Sequence, residues 1–450
     1  MIAGTASAPR GTFARGVHPP GRKHYAADAA IEIPPTPAQV LLPLQQHLGA
    51  PAEPVVKNRQ VVAWGEVVAR GKGFVSASVH SPVPGVVGLL SVATLPNGRH
   101  VPAIPVKTEG QLPAGRALWE EIFGGDWPRT GLEAYAPEKI VEAAREAGLV
   151  GMGGAAFPTH VKLARNEKRP VDTLVVNGCE CEPYLTADYR LMLEAPAAVV
   201  SGALLAARAS GASRILVAVE DNKPAAAEAL RRASEGTPIE VKVLPTKYPM
   251  GGERQLVVAA LGRTVPTGGL PLDVGVLVSN VGTAAALARA VLRGRPLTHR
   301  LVTVSGGGVA RSANLLVPIG ITYRELVEFC GGLTSSAAVA VAGGPMMGFA
   351  LGTLEVPVTK GTSGLTVLTA EDVAKAEQTP CIRCGRCVEV CPLGLVPTRM
   401  ALASRHRDWD LARRYHLAAC CECGCCAYVC PAGLPLTQLI RTGKALMPRE

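Results

Sequence analysis

Aromatic residues make up only 4% of this 450-residue chain, and no Ser/His/Asp constellation stands out in it. The second absence argues against hydrolysis or acyl transfer by a Ser/His/Asp triad. The first, with no basic groove interleaved by aromatics, argues against a nucleic-acid partner. The opening stretch, MIAGTASAPRGTF, has no apolar signal core, so a reducing compartment is expected. Long apolar runs are scarce too. The longest uncharged stretch, Cys330 to Leu354, could span a bilayer by length, but glycines, a proline and hydroxyl residues break it. It reads as a glycine-rich core strand and turn. No transmembrane segment is expected, and membrane contact has to come through partners.

What the chain has in quantity is small and apolar: 48% hydrophobic residues, 49 glycines and 37 prolines. That composition suits a loop-rich α/β protein of several domains. Thirteen cysteines are too sparse for a disulfide framework. Near the C-terminus they repeat one pattern: Cys381, Cys384, Cys387 and Cys391 before Pro392, then Cys420, Cys423, Cys426 and Cys430 before Pro431. This is C-x2-C-x2-C-x3-C-P twice, the run that binds a pair of [4Fe-4S] clusters. Zinc sites use separated pairs of ligands, often with histidine, and fit the spacing poorly. In such runs the fourth cysteine ligates the other cluster. Cys381, Cys384, Cys387 and Cys430 are therefore expected to hold one cluster, and Cys420, Cys423, Cys426 and Cys391 the other. Cys421 and Cys425 break that register and read as thiols packed beside the ligands. The formal charge is +10, and two clusters adding about −2 each bring it to about +6. Residues 381–450 carry ten Lys/Arg against five Asp/Glu, a balance that suits an acidic electron carrier or an anionic membrane surface.

Upstream, residues 1–30 read as a flexible basic arm. Residues 31–110 alternate short apolar runs with Pro/Gly turns, the pattern of a small β domain, and HSPVPGVVGLL resembles the hairpin of a lipoyl-type barrel-sandwich. No lysine stands where such domains carry their cofactor, so this is scaffold. A helical run, EKIVEAAREA, ends at Gly148 and leads into Gly151-Met152-Gly153-Gly154-Ala155-Ala156-Phe157-Pro158, followed by a second helical run, THVKLARNEK. A glycine loop opening into a helix is a candidate phosphate site, although the strand that precedes a Rossmann fingerprint is missing. Over 130–295, strands at 172–178, 214–221, 239–245 and 273–280 alternate with helices at 196–209, 224–234 and 283–293, so a mostly parallel sheet is expected. Asn177, Glu180 and Glu182 follow the first strand, where such sheets bind ligands; a solvated turn is the plain alternative. Residues 296–355 suggest a β-grasp module whose helix starts at Thr322 with Glu325 completing a capping box. Residues 356–378 read as a linker into a helical dicluster domain, 379–450.

Several of these segments together are familiar. VGMGGAAFPTHVKL, VNGCECEPYLTADYRLM, LPLQQHLGAPAEPVVK, GFVSASVHSPVPGVV and the doubled cysteine run resemble, in order from about His18 to Met447, the C subunit of the Rnf ion-translocating electron transport complex. The central part is similar to the NADH-oxidising flavoprotein subunit of respiratory complex I, with its GxGGAGFP loop. The resemblance implies an α/β multidomain fold: an N-terminal barrel-sandwich, an FMN/NADH-binding domain, a β-grasp module of the SLBB kind and a ferredoxin-like dicluster domain. It implies that Gly151, Gly153, Gly154, Ala155 and Lys162 cradle FMN, with Phe157 beside the nicotinamide path. Asn177, Cys179, Glu180 and Cys181 would lie along the flavin and Glu182 would contact NADH. Gly252 and Glu253 match a third segment, and Asn280 with Thr283 a fourth. The sequence departs from the complex I pattern at Met152, where that pattern has arginine, at Ala156, where it has glycine, and at Cys179, Cys181 and Arg254.

Chemistry and resemblance meet at one point. A hydride carries two electrons and a cluster accepts one, so a flavin has to stand between them, and the order becomes NADH, FMN, cluster, cluster, partner. The implied role is a peripheral subunit at the cytoplasmic face of the cell membrane, with membrane and ferredoxin-like subunits as partners and ferredoxin reached through the complex. Two alternatives share parts of this pattern: the cobalamin reductase of propanediol-degrading microcompartments, and a non-catalytic subunit that only wires clusters.

Overall fold

The computed structural model describes residues 11–373 and 377–448. Its centre is a four-stranded, all-parallel sheet in the order Ile239–Leu244, Arg214–Glu220, Thr173–Gly178, Val276–Asn280. Strands buried on both faces need continuous apolar runs, and TLVV, ILVAV and VLV supply them. Helices Pro196–Ser210 and Val281–Arg293 cover one face at very close range. A Cβ on Gly202 would lie 1.8 Å from the Ala284 carbonyl oxygen, so glycine is required at that crossing. The chain leaves Thr173–Gly178 toward one neighbour and returns on its other side as Val276–Asn280. The crevice beyond those two strand ends is the topological switch point of the sheet.

The barrel-sandwich packs a five-stranded antiparallel sheet, centred on His100–Thr108, over three short strands, Ala52–Pro54, Val67–Gly71 and Val79–His80. Residues 31–32 belong elsewhere. They pair in parallel with Asn314 and Leu315 of the β-grasp sheet. The expected linker also differs from what is found: Gly364–Thr369 is an inner strand of that sheet, parallel to His299–Ser305 and antiparallel to Ala337–Ala342. Its alternation of valine, leucine and threonine is ordinary strand sequence, and its partners lie far away in the chain. The stretch Cys330 to Leu354 is strand and turn, as expected. Among the described residues no single helix is long and apolar enough to cross a membrane. Ala187–Glu194 and Pro196–Ser210 pass that test only together, bent by 96°, and the second is largely core.

The expected flexible arm is also corrected for its described part, residues 11–30. Phe13, Val17 and Ala26 are buried, and the segment crosses from the dicluster domain to the central sheet as a strap. At the C-terminal end, helices Pro397–His406 and Leu436–Leu446 pack against each other, with Gly443 lying where a Cβ would meet Ser404 Oγ at 2.0 Å. The short helices Arg386–Glu389 and Cys425–Tyr428 each sit within a cysteine run. The dicluster domain is helical, as its spacing predicts.

Candidate functional site

The loop Gly151–Phe157 lines the crevice. Gly151 N donates to the Phe157 carbonyl at 2.8 Å and Met152 N to Thr283 Oγ1 at 2.9 Å. Those bonds close the loop and pin it to the first turn of Val281–Arg293. The amides of Gly153, Gly154 and Ala155 have no partner among the described residues. A Cβ on Gly154, at φ +112°, would meet nothing within 4 Å. Consecutive unpaired amides around open space are a donor set for phosphate, and the phosphate of FMN fits it. Lys162 adds a cation, held 2.5 Å from Glu253 Oε1 with both side chains partly exposed. The helix expected through THVKLARNEK runs only from Thr159 to Leu163. So short a helix has little dipole, and the loop amides carry the role instead.

Asn280 is the N-cap of Val281–Arg293: its Oδ1 accepts from Gly282 N at 2.8 Å and Thr283 N at 3.3 Å. Its Nδ2 donates to Asp188 Oδ2 at 2.7 Å. Burial pushes the Asp188 carboxyl up to about 6; Glu180 adds to the push and the Asn280 bond opposes it. Asn177 donates to the Gly251 carbonyl at 2.9 Å and accepts from Cys179 N at 2.9 Å, which ties the end of Thr173–Gly178 to the Gly251–Gly252 turn. Cys181 Sγ accepts from Gly251 N at 3.3 Å, and burial pushes its thiol up to about 12.

The two carboxylates face protein rather than open space. Glu180 accepts from Asp188 N at 2.9 Å and Tyr189 N at 3.4 Å, holding the start of Ala187–Glu194. Glu182 Oε1 accepts from Met346 N at 2.7 Å and Met347 N at 2.9 Å, tethering a β-grasp loop. A Cβ on Gly344 would lie 2.1 Å from Glu182 Cγ, so glycine is needed for that approach. Beneath both carboxylates Lys23 of the strap donates to the carbonyls of Glu180, Glu182 and Leu185 at 2.5–2.8 Å.

Arg300 carries no sequence signal as a site residue. Its buried guanidinium donates to the Thr362 carbonyl at 2.7 Å and to the Met152 carbonyl at 3.4 Å, and lies 2.5 Å from Met152 Sδ. A guanidinium therefore stays beside the loop although Met152 fills the position where the complex I pattern has arginine. Sequence reasoning misses Tyr248 as well, although it directly precedes the PMGGE segment. Its hydroxyl donates to the Cys423 carbonyl at 2.6 Å, and its ring shares one apolar cluster with Cys181, Cys423 and Cys425.

In the dicluster domain one pocket is lined by Cys391 together with Cys420, Cys423 and Cys426. The pocket thus gathers the fourth cysteine of the first run with five cysteines from the second, Cys421 and Cys425 among them. Cys387 and Cys430 pack into one apolar cluster with Cys391, Cys420 and Cys426. Among the described residues no group of cysteine, histidine and carboxylate converges tightly enough for a single metal ion. A cuboidal cluster gives each thiolate its own iron, so its ligands stand apart around it. The donor set fits two such clusters. Cys421 lines the same pocket, and Cys425 is buried on its side toward Tyr248. Cys381 and Cys384 are exposed.

Family models match in the order of the modules: an RnfC barrel sandwich hybrid domain over residues 11–111, a Nuo51 FMN-binding domain over 144–289, an SLBB domain over 301–350 and a 4Fe-4S dicluster domain over 377–434. They define the class: an electron-transfer protein that takes FMN in its middle and paired [4Fe-4S] clusters near its C-terminal end. The chain is 42% identical to the C subunit of the proton-translocating ferredoxin:NAD(+) oxidoreductase complex of Clostridium ljungdahlii, over 87% of this chain and 84% of that one. It is 44% identical to the C subunit of the ion-translocating oxidoreductase complex of Rhodobacter capsulatus, over 85% and 73%. With the sodium-translocating counterpart from Acetobacterium woodii it shares 40% identity over 89% of each chain. The chain belongs to this family of C subunits of Rnf-type ion-translocating oxidoreductase complexes. An NAD+-reducing [NiFe]-hydrogenase shares the fold over 74% of this chain and 66% of that chain, at a TM-score of 0.50 and 20% identity.

Proposed function

We propose that this chain passes electrons between NAD(H) and a ferredoxin-like partner within an ion-translocating ferredoxin:NAD oxidoreductase complex, as its own NADH-reactive subunit. When bound, FMN takes the two electrons of a hydride and yields them singly, and each [4Fe-4S] cluster carries one. The residues of this chain bind and orient. In this reading the amides of Gly153, Gly154 and Ala155, with Lys162, hold the phosphate of FMN. Gly151 and Thr283 fix the loop that presents those amides. In the same reading Asn177, Cys179 and Cys181 support the crevice from the strand end, and Phe157, Gly252 and Glu253 lie along it. No general acid is required, because placement of the rings is what the protein supplies.

The observation that carries the proposal is the apolar contact that joins Cys181 of the crevice, through Tyr248, to Cys423 of the cysteine-lined pocket. That contact supports a reading in which the cluster held by Cys391, Cys420, Cys423 and Cys426 lies on the flavin side. The cluster held by Cys381, Cys384, Cys387 and Cys430 then faces outward, toward a partner. In the complex this subunit would sit peripherally on the cytoplasmic face, against membrane and ferredoxin-like subunits.

Anaerobic purification with iron, sulfide and FMN assays tests the reading. About eight irons and one FMN per chain are expected, and NADH should bleach the flavin before the clusters. A protein that only wires clusters would show brown absorption and no flavin. Lys162→Met should weaken FMN binding about tenfold or more, as loss of a phosphate-paired cation does, with iron content unchanged.

A further inference from the structure

We propose that Tyr248 and the strap Phe13–Val17 form a clamp that holds the dicluster domain at fixed spacing from the flavin crevice, with Tyr248 as its positioning residue. The inference rests on the functional reading above and adds a part that neither cysteine motif nor flavin loop contains. Tyr248 is 2% exposed and is held from two sides. Its backbone pairs with Val17 in both directions, each bond 2.9 Å, and its hydroxyl donates to the Cys423 carbonyl at 2.6 Å. The strap continues the grip. Gly16 N donates to the Val390 carbonyl at 3.0 Å and Arg15 Nη1 to the Val388 carbonyl at 3.1 Å, at the end of helix Arg386–Glu389 and just past it, between Cys387 and Cys391. A Cβ on Gly16, at φ +85°, would lie 2.6 Å from the Tyr248 carbonyl oxygen, so only glycine lets the strap lie this close.

The chemistry gives the grip its purpose. Cys391 and Cys423 come from different runs, yet line one pocket. The strap holds the chain beside the first and Tyr248 holds the second, so the clamp grasps both halves of the flavin-side ligand set. A hydroxyl is suited to this, because a buried carbonyl next to a ligand cysteine needs a donor, and Tyr248 supplies it without adding charge.

Tyr248→Phe removes the hydroxyl and keeps the ring. Hydrogen exchange at Gly16 and Val17, read by mass spectrometry on the iron-loaded protein, should rise about tenfold as the buried interface opens more often. Reduction of the clusters should slow several-fold relative to bleaching of the flavin by NADH, at unchanged iron content. Val17→Pro, which removes one of the paired amides, should slow cluster reduction in the same way and raise exchange at Gly16, the strap amide that remains to be read. Unchanged exchange in both variants overturns the clamp, and so does raised exchange with cluster reduction at the wild-type rate. If NADH fails to bleach flavin in the wild type, the functional reading fails instead, while the exchange measurement still reports on the clamp.

Discussion

At the scale of single residues, the molecule places unusual groups where modules meet. Lys360 is 1% exposed, and its ammonium donates to the carbonyls of Ser78, in the barrel-sandwich, and Gly148, at the end of the helix before the flavin loop, at 2.5 and 2.7 Å. Burial pulls its pKa from 10.5 down to about 7. The folded value is therefore the lower one. Between pH 7 and 10.5 the unfolded chain holds a proton that the folded chain does not, so stability should rise with pH through that window and level off below it. The steepest contribution is about 1.4 kcal/mol per pH unit. Lys360→Met should remove that slope, and urea unfolding of both proteins at three pH values between about 7.5 and 9.5 would measure the difference. A wild-type slope no steeper than that of the variant would contradict the buried neutral amine. Nothing in the sequence marks Lys360, because its meaning comes from two carbonyls that lie 282 and 212 positions away. Ala156 is legible only as a departure from glycine. The structure gives it a physical content, φ 49°, a left-handed backbone that alanine adopts at a cost of about 1 kcal/mol or more.

At the scale of elements, local signals are legible in the sequence and non-local ones are not. Thr322 is an N-cap that accepts from Glu325 N at 3.3 Å while Glu325 reaches back to Thr322 N at 2.9 Å, the box that T-x-x-E predicts. Strands and helices of the central domain fall within a few residues of their periodicity. Gly364–Thr369 reads as linker because a six-residue strand bracketed by turns carries no mark of its partners. THVKLARNEK reads as too long a helix because asparagine and the lysine-bearing end offer no stop signal before Ala164 leaves the helical region. Two N-caps with different surroundings separate stability from function. Thr322→Ala and Asn280→Ala should each cost about 1 kcal/mol of unfolding free energy. Asn280→Ala should also weaken FMN binding, since Asn280 positions the turn that presents Thr283 to Met152, whereas Thr322→Ala should leave flavin content unchanged. Denaturant melts with flavin fluorescence on the same samples distinguish the two. Equal flavin loss in both variants would mean that Asn280 has no part in holding the loop.

At the scale of the whole molecule, the order of modules is legible in the sequence and their mutual grip is not. The strap, the tether from Glu182 to Met346 and the pairing of Arg441 Nη2 with the Met347 carbonyl at 2.6 Å all join segments remote in sequence. They hold the dicluster domain and the β-grasp loop against the central domain, and the consequence is an outward face of fixed composition. There Ile382 is 65% exposed between the exposed Cys381 and Cys384, with Arg383 and Arg386 exposed beside it. An apolar tip ringed by cations next to a cluster is suited to a small acidic electron carrier, whose approach the positive field accelerates. Steering of this kind is screened by salt over about 10 Å at 0.1 M. The second-order rate of electron transfer from the NADH-reduced protein to an acidic ferredoxin should therefore fall about tenfold between low and physiological salt. Reversing Arg383 and Arg386 to glutamate should lower the low-salt rate and flatten its salt dependence, with iron and FMN contents unchanged. A rate indifferent to salt in the wild type would place the electron exit on some other face of the dicluster domain.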